Sequence, residues 1–196
     1  MVRGRPRTFD TEQTLDLAMA TFWQHGYQVT SLDDLTEVMG ITRPSLYAAF
    51  GDKEILFLKA IDRYREKFAS YAGNVLKEEA DAKSAMTEML NRIADQLTNT
   101  SLPRGCLVAN STLECNRQSD AIDRKLVECL AVAEAAIYNR LRQAQVEGNL
   151  PAQADPRSLA QFYNGVIQGM AVLAKAQADP VMIRNIVNTA MRAWPT

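Results

Sequence analysis

Residues 42–47, Thr-Arg-Pro-Ser-Leu-Tyr, gather two hydroxyls, a guanidinium and a phenol in one short stretch. Arginine reads guanine bidentately and hydroxyls contact phosphates or base edges, so this cluster could recognise duplex DNA. A second set of cations, Arg3, Arg5 and Arg7, brackets Gly4 and Pro6. Such a slim basic arm suits a narrow minor groove. Two further side chains could carry covalent chemistry. Cys106 follows Pro103-Arg104-Gly105, where a helix is expected to begin, and a helix N-terminus beside an arginine favours a thiolate. Lys175 is a lone amine in the apolar stretch 169–176. Near Cys106 it would stabilise the thiolate and could condense with an oxidised sulfur. Each also fits a plainer role, as a small buried thiol and a snorkelling surface lysine.

Other chemistries find little support. With His25 as the single histidine there is no HExxH zinc site. Cys106, Cys115 and Cys129 are too widely spaced for CxxC pairs, and odd in number for a disulfide framework. No glycine-rich phosphate loop follows a strand, and Asp33-Asp34 falls on what should be a solvated helix face. Neither an enzyme nor a bound metal or cofactor is expected.

Composition narrows the partners. The 196 residues are 47% hydrophobic and 23% charged, ordinary for a chain with a sizeable core. A net charge of −1 excludes a blanket polycation, so any basic surface must be local. Residues 1–60 carry six cations against eight acids, yet the first seven residues and the stretch 40–51 contain no acid. This predicts a basic docking face with the acids turned away, Asp33 and Glu37 kept clear of Arg43. Glu134, Gln168 and Lys175 interrupt the most apolar stretches, and no apolar run follows the basic start MVRGRPRTFDTE. Neither a membrane span nor a secretory signal is expected, and the cytoplasm is the default location.

The elements that must position these groups are helical. Asp10, Ser31, Thr42, Asp52, Asp81, Ser119, Asp155 and Asp179 stand where helix caps belong, the last two each followed by proline. Apolar residues behind them recur at helical spacing, and strand alternation is absent. The reading is all-α with about nine helices, the first three short and close together. Residues 31–50, SLDDLTEVMGITRPSLYAAF, spell a short helix, a glycine turn at Gly40 and a second short helix. Leu35, Met39, Ile41 and Leu46 can close the core between them, leaving the start of the second helix exposed. That is a helix-turn-helix pattern, although a plain structural hairpin also fits it. A helical small-molecule-binding or interaction protein without DNA binding is the alternative.

The larger stretch, from about Thr8 to Arg65, resembles the TetR family of transcriptional regulators. The resemblance rests on Gly26-Tyr27-Gln28-Val29-Thr30-Ser31 and on Ser45-Leu46-Tyr47-Ala48-Ala49-Phe50-Gly51-Asp52-Lys53-Glu54. It departs at Met39, where a small residue is common, and at Pro44 in the reading turn. It implies an arm and helix-turn-helix domain over residues 1–52, then a helical effector and dimerisation domain over 53–196. It also implies that Thr30, Ser31, Thr42, Arg43, Pro44, Ser45, Tyr47 and Lys53 line the DNA. Lys53, at a helix start, would hold one phosphate and the Tyr47 hydroxyl another.

The last two helices carry apolar stripes: Ala160, Tyr163, Val166, Ile167, Met170 and Leu173, then Ile183, Ile186, Val187, Ala190 and Met191. Alone, such stripes read equally as internal core; by the resemblance, these helices pair two copies into a homodimer on a pseudo-palindromic operator. The middle helices would enclose an effector pocket, with Met86, Met89 and Tyr138 read as plain packing. Some members of the family sense electrophiles or oxidants through a cysteine in a similar Gly-Cys-Leu setting, which adds to the reading of Cys106. Repression, relieved by a small-molecule or electrophile effector, is the family-level expectation.

Overall fold

Short-range capping chemistry sets where each helix begins. In the computed structural model, which describes residues 9–79, 81–114 and 119–195, the Asp10 carboxylate accepts the Glu12 and Gln13 N–H groups and starts α1 (Thr11–His25). Ser31 and Asp34 form a reciprocal capping box ahead of α2 (Leu32–Met39). Gly40 ends α2 in the left-handed region at φ 63°, a conformation glycine adopts without steric cost. Thr42 caps α3 (Arg43–Phe50), with Pro44 in its first turn. Asp52 caps α4 (Lys53–Tyr64), which runs through a π-helical turn (Arg65–Ala69) into α5 (Ser70–Glu78).

The remaining helices follow the same grammar. Asp81 caps α6 (Ala82–Thr98), and Cys106 precedes the short α7 (Leu107–Thr112). Ser119 caps the long α8 (Asp120–Val146). The Asp155-Pro156 and Asp179-Pro180 pairs open α9 (Pro156–Lys175) and α10 (Pro180–Arg192). Because α4, the π-turn and α5 are continuous, the described residues make nine helical rods and no strand.

Two apolar cores hold the rods together. The first joins Phe22 and Trp23 of α1, Leu35 of α2, Leu46 and Phe50 of α3, and Leu56, Phe57 and Ile61 of α4, all buried. It reaches on to Leu107, Val108, Ile122 and Leu126, so α7 and the start of α8 pack on the same core. Trp23 meets Tyr64 and Phe68 edge-on at 4.9 and 5.2 Å. Aromatic pairs at such angles add about 0.5–1.5 kcal/mol to area burial. The second core gathers α5, α6, α8, α9 and α10 around Met86, Leu90, Leu141, Tyr163 and Met170. Met86 and Met89 are buried in it, and the Arg157 guanidinium covers the half-buried Tyr138 ring at 5.1 Å. No helix among the described residues is long and apolar enough to cross a membrane.

Candidate DNA-reading head and effector cavity

Leu46 and Phe50 anchor α3 in the first core and turn its other side outward. Thr42, Arg43, Pro44 and Tyr47 are exposed, and Ser45 is half-buried. The Thr42 and Ser45 hydroxyls lie 3.0 Å apart, fixing the entry to the helix. Ser31 is exposed at the start of α2, with its hydroxyl donating to Asp34 at 2.8 Å. Lys53 lies close by, its Nζ 4.5 Å from the centre of the Tyr27 ring and donating to the Gln28 carbonyl at 3.4 Å. Burial lowers its pKa, against the opposing pull of Glu114 and Asp34. Arg3, Arg5 and Arg7 lie outside the described residues.

Two expectations for this face need correction. Thr30 is 2% exposed, and its hydroxyl donates to the Gly26 carbonyl at 2.6 Å. It braces the turn between α1 and α2, and its side chain has no surface with which to line DNA. The acids are not all turned away: Asp33 sits beside Arg43. Its Oδ1 accepts from Arg43 Nε at 3.1 Å and from Nη2 at 2.7 Å. Both groups are more than half exposed, so the pair contributes little to stability, about 0–1 kcal/mol. Helical spacing could not predict it, because the two residues meet only after the turn at Gly40 folds α3 against α2.

Behind the reading head, a cavity of about 330 Å³ opens between α4, the π-turn, α5, α6, α8 and α9. Its lining is mostly apolar, including Phe68, Ile137 and Ile167, with a polar group at Tyr64 and Gln96. Gln96 Nε2 donates to the Tyr64 hydroxyl at 3.0 Å. Burial, then the neighbouring Cys106, pushes the Tyr64 phenol far up, so it stays protonated. Cys106 lines the cavity from the N-cap position of α7, one residue ahead of the expected first turn. Cys129 lines it from α8, and burial raises its thiol pKa. Cys115 lies outside the described residues.

The structure brings Lys175 to the loop that carries Cys106 but turns its ammonium elsewhere. A Cβ on Gly105 would stand 3.2 Å from the Lys175 Cβ. The exposed Lys175 Nζ instead donates to the Gln24 carbonyl of α1 at 3.3 Å.

Three contacts at this junction are not legible in the sequence. The Trp23 indole N–H donates to the Gly105 carbonyl at 3.2 Å. The Glu114 carboxylate accepts from the Tyr27 and Gln28 N–H groups at 3.1 and 3.4 Å, tying the end of α7 to the α1–α2 turn. Cys129 joins Cys106 in one cavity although 23 positions separate them. Only the glycine at position 26 hinted at any of this, since a close approach there requires the missing side chain.

A helix-turn-helix with an exposed reading helix, backed by a helical body around an internal cavity, defines a DNA-binding transcriptional regulator. Residues 15–60 match the bacterial regulatory proteins of the tetR family, and residues 82–190 match the tetracyclin repressor-like C-terminal domain. The chain is 38% identical over 194 residues to the HTH-type transcriptional repressor ComR of Escherichia coli (strain K12), spanning 98% of this chain and 92% of that protein. It is 28% identical over 174 residues to the repressor BdcR of the same organism, spanning 89% and 83%. Its fold superposes on a cysteine-substituted TetR-family regulator, CifR, solved with 26-bp double-strand operator DNA. There the TM-score is 0.93 at 37% identity, covering 97% of this chain and all of that one. The chain belongs to the TetR family of transcriptional regulators, a class that binds DNA and catalyses no reaction.

Proposed function

We propose that the chain is an effector-released repressor that binds a pseudo-palindromic operator as a homodimer in the cytoplasm. The observation that carries this reading is the exposed start of α3, held outward by buried Leu46 and Phe50. Arg43 and Ser45 enter the major groove with Thr42 and Pro44 at its edge, while Ser31, Tyr47 and Lys53 hold flanking phosphates. The arm with Arg3, Arg5 and Arg7 follows the adjacent minor groove. ComR and BdcR are named repressors, which supports that direction of control.

The dimer forms through α9 and α10. Gly165 and Gly169, one turn apart, have open space where a side chain would stand, so a partner helix can approach closely. Phe162, Val172, Val181 and Met182 are exposed apolar neighbours on the same two helices. Two-fold pairing sets the reading helices about 34–36 Å apart, one turn of duplex.

The division after Asp52 separates the reading unit from the effector body, and α4 connects them. The effector enters the cavity lined by Tyr64, Gln96 and Cys106 and shifts a two-state equilibrium, with coupling of about 1–3 kcal/mol. Cys106 supports a covalent route, because its half-buried thiol faces the cavity whereas burial disfavours the Cys129 thiolate. Lys175, rooted beside Gly105, is the amine that assists once it leaves the Gln24 carbonyl.

Selection from randomised duplexes tests the reading. The full chain should enrich a short inverted repeat, and failure to enrich any sequence would overturn it. A mild electrophile should release wild type but not Cys106→Ser. Equal release of both would leave an operator-binding regulator with a noncovalent effector.

A further inference from the structure

The Asp33 carboxylate takes no part in capping α2. The α2 N-terminus is already capped by Ser31 and Asp34, whose carboxylate accepts both the Ser31 N–H and hydroxyl at 2.8 Å. The angle between α2 and α3 is set by Leu35, Met39 and Leu46, none more than 5% exposed. The Asp33 side chain stands in solvent, and its carboxylate binds the arginine at the first position of the reading helix, while its carbonyl accepts the Thr36 hydroxyl at 3.1 Å. Through Nε and Nη2 on a single oxygen, the contact holds the guanidinium plane as well as its charge.

We propose that Asp33 is a positioning and specificity-determining residue for DNA reading: it aims the Arg43 guanidinium at a base edge and denies that guanidinium to the phosphate backbone. The inference rests on the DNA-binding reading above. A free arginine on a docking face gains most of its affinity from phosphates, which every sequence offers equally. A carboxylate on the same face repels phosphate and fixes the fork in advance, so less rotamer freedom is lost when a guanine is engaged. Asp33 therefore lowers binding to bulk DNA and widens the gap between operator and non-operator sequence.

The test uses the full chain as wild type, Asp33→Ala, Arg43→Ala and the double variant. The probes are the duplex that wild type enriches from a randomised library of about 30 bp and a shuffled duplex of equal composition, compared across about 50–200 mM salt. Asp33→Ala should bind the shuffled duplex about three- to tenfold tighter, with a salt slope steeper by about one. Its preference for the selected duplex should fall about tenfold. In the Arg43→Ala background, adding Asp33→Ala should leave that preference unchanged. An unaltered preference and slope in Asp33→Ala would overturn the inference, as would an equal change with Arg43 absent, since that would be bulk charge alone. A wild type that enriches no duplex would instead overturn the DNA-reading function itself.

Discussion

The indole N–H of Trp23, in the middle of the DNA-reading core, donates to the carbonyl of Gly105, the residue immediately before the cavity-lining Cys106. Reading head and effector cavity thus share one buried hydrogen bond between residues 82 positions apart. Trp23→Phe keeps most of the apolar contact with Tyr64 and Phe68 but leaves the Gly105 carbonyl without its donor. The variant should lose roughly 1–3 kcal/mol of stability in urea unfolding. Operator affinity without effector should fall less than the response to effector, as measured by anisotropy.

Glu114 makes a second tie across the same junction, and Gly26 makes room for it. A Cβ at Gly26 would stand 2.0 Å from Glu114 Oε1, and the φ of 86° disfavours any side chain there. Gly26→Ala should therefore expel the carboxylate from the Tyr27 and Gln28 N–H groups as well as strain the turn, whose φ of 86° and ψ of 168° only glycine adopts readily, costing about 1–3 kcal/mol for the backbone alone. Glu114→Ala should destabilise wild type yet cost little more in the Gly26→Ala background. Additive losses in thermal unfolding would show that the two positions do not act through one contact.

Acid should loosen the packing of α1 on α4. Burial alone would raise the Asp16 pKa, but hydrogen bonds and charge from Arg63 and Lys67 prevail and hold it below the usual 3.8. A depressed folded-state pKa means stability that is present above the unfolded value and lost as pH falls through the folded one. The stability difference between wild type and Asp16→Asn should be constant near neutrality and shrink below about pH 4. Urea titrations at several pH values would measure it.

Bulk on the small face of α9 should separate the proposed dimer. Open space surrounds the Gly165 and Gly169 Cβ positions, so valine at either site leaves the protomer's own packing intact. Gly169→Val should sediment as a monomer and bind a two-half-site operator at least about tenfold more weakly, because the linkage between half-sites is lost.

The helices and the reading motif are legible in the residues alone, because their causes are local. Asp10, Ser31, Thr42 and Asp52 each cap a helix within three residues of themselves, and Gly40 shapes its turn through its own φ. The exposure of Thr42, Arg43 and Tyr47 follows from the burial of Leu46 and Phe50 on the same short helix. The partners of those groups emerge from helix packing. Asp33 meets Arg43 across a turn, and Thr30 turns inward to Gly26. Trp23 meets Gly105, Glu114 meets Tyr27, and Cys106 meets Tyr64 and Cys129 around the cavity, all across long spans of chain. Periodicity tells which face of a helix is buried but carries no information on which distant polar group lies opposite. That choice belongs to the packing of whole helices, where two apolar cores bring their chemistry together.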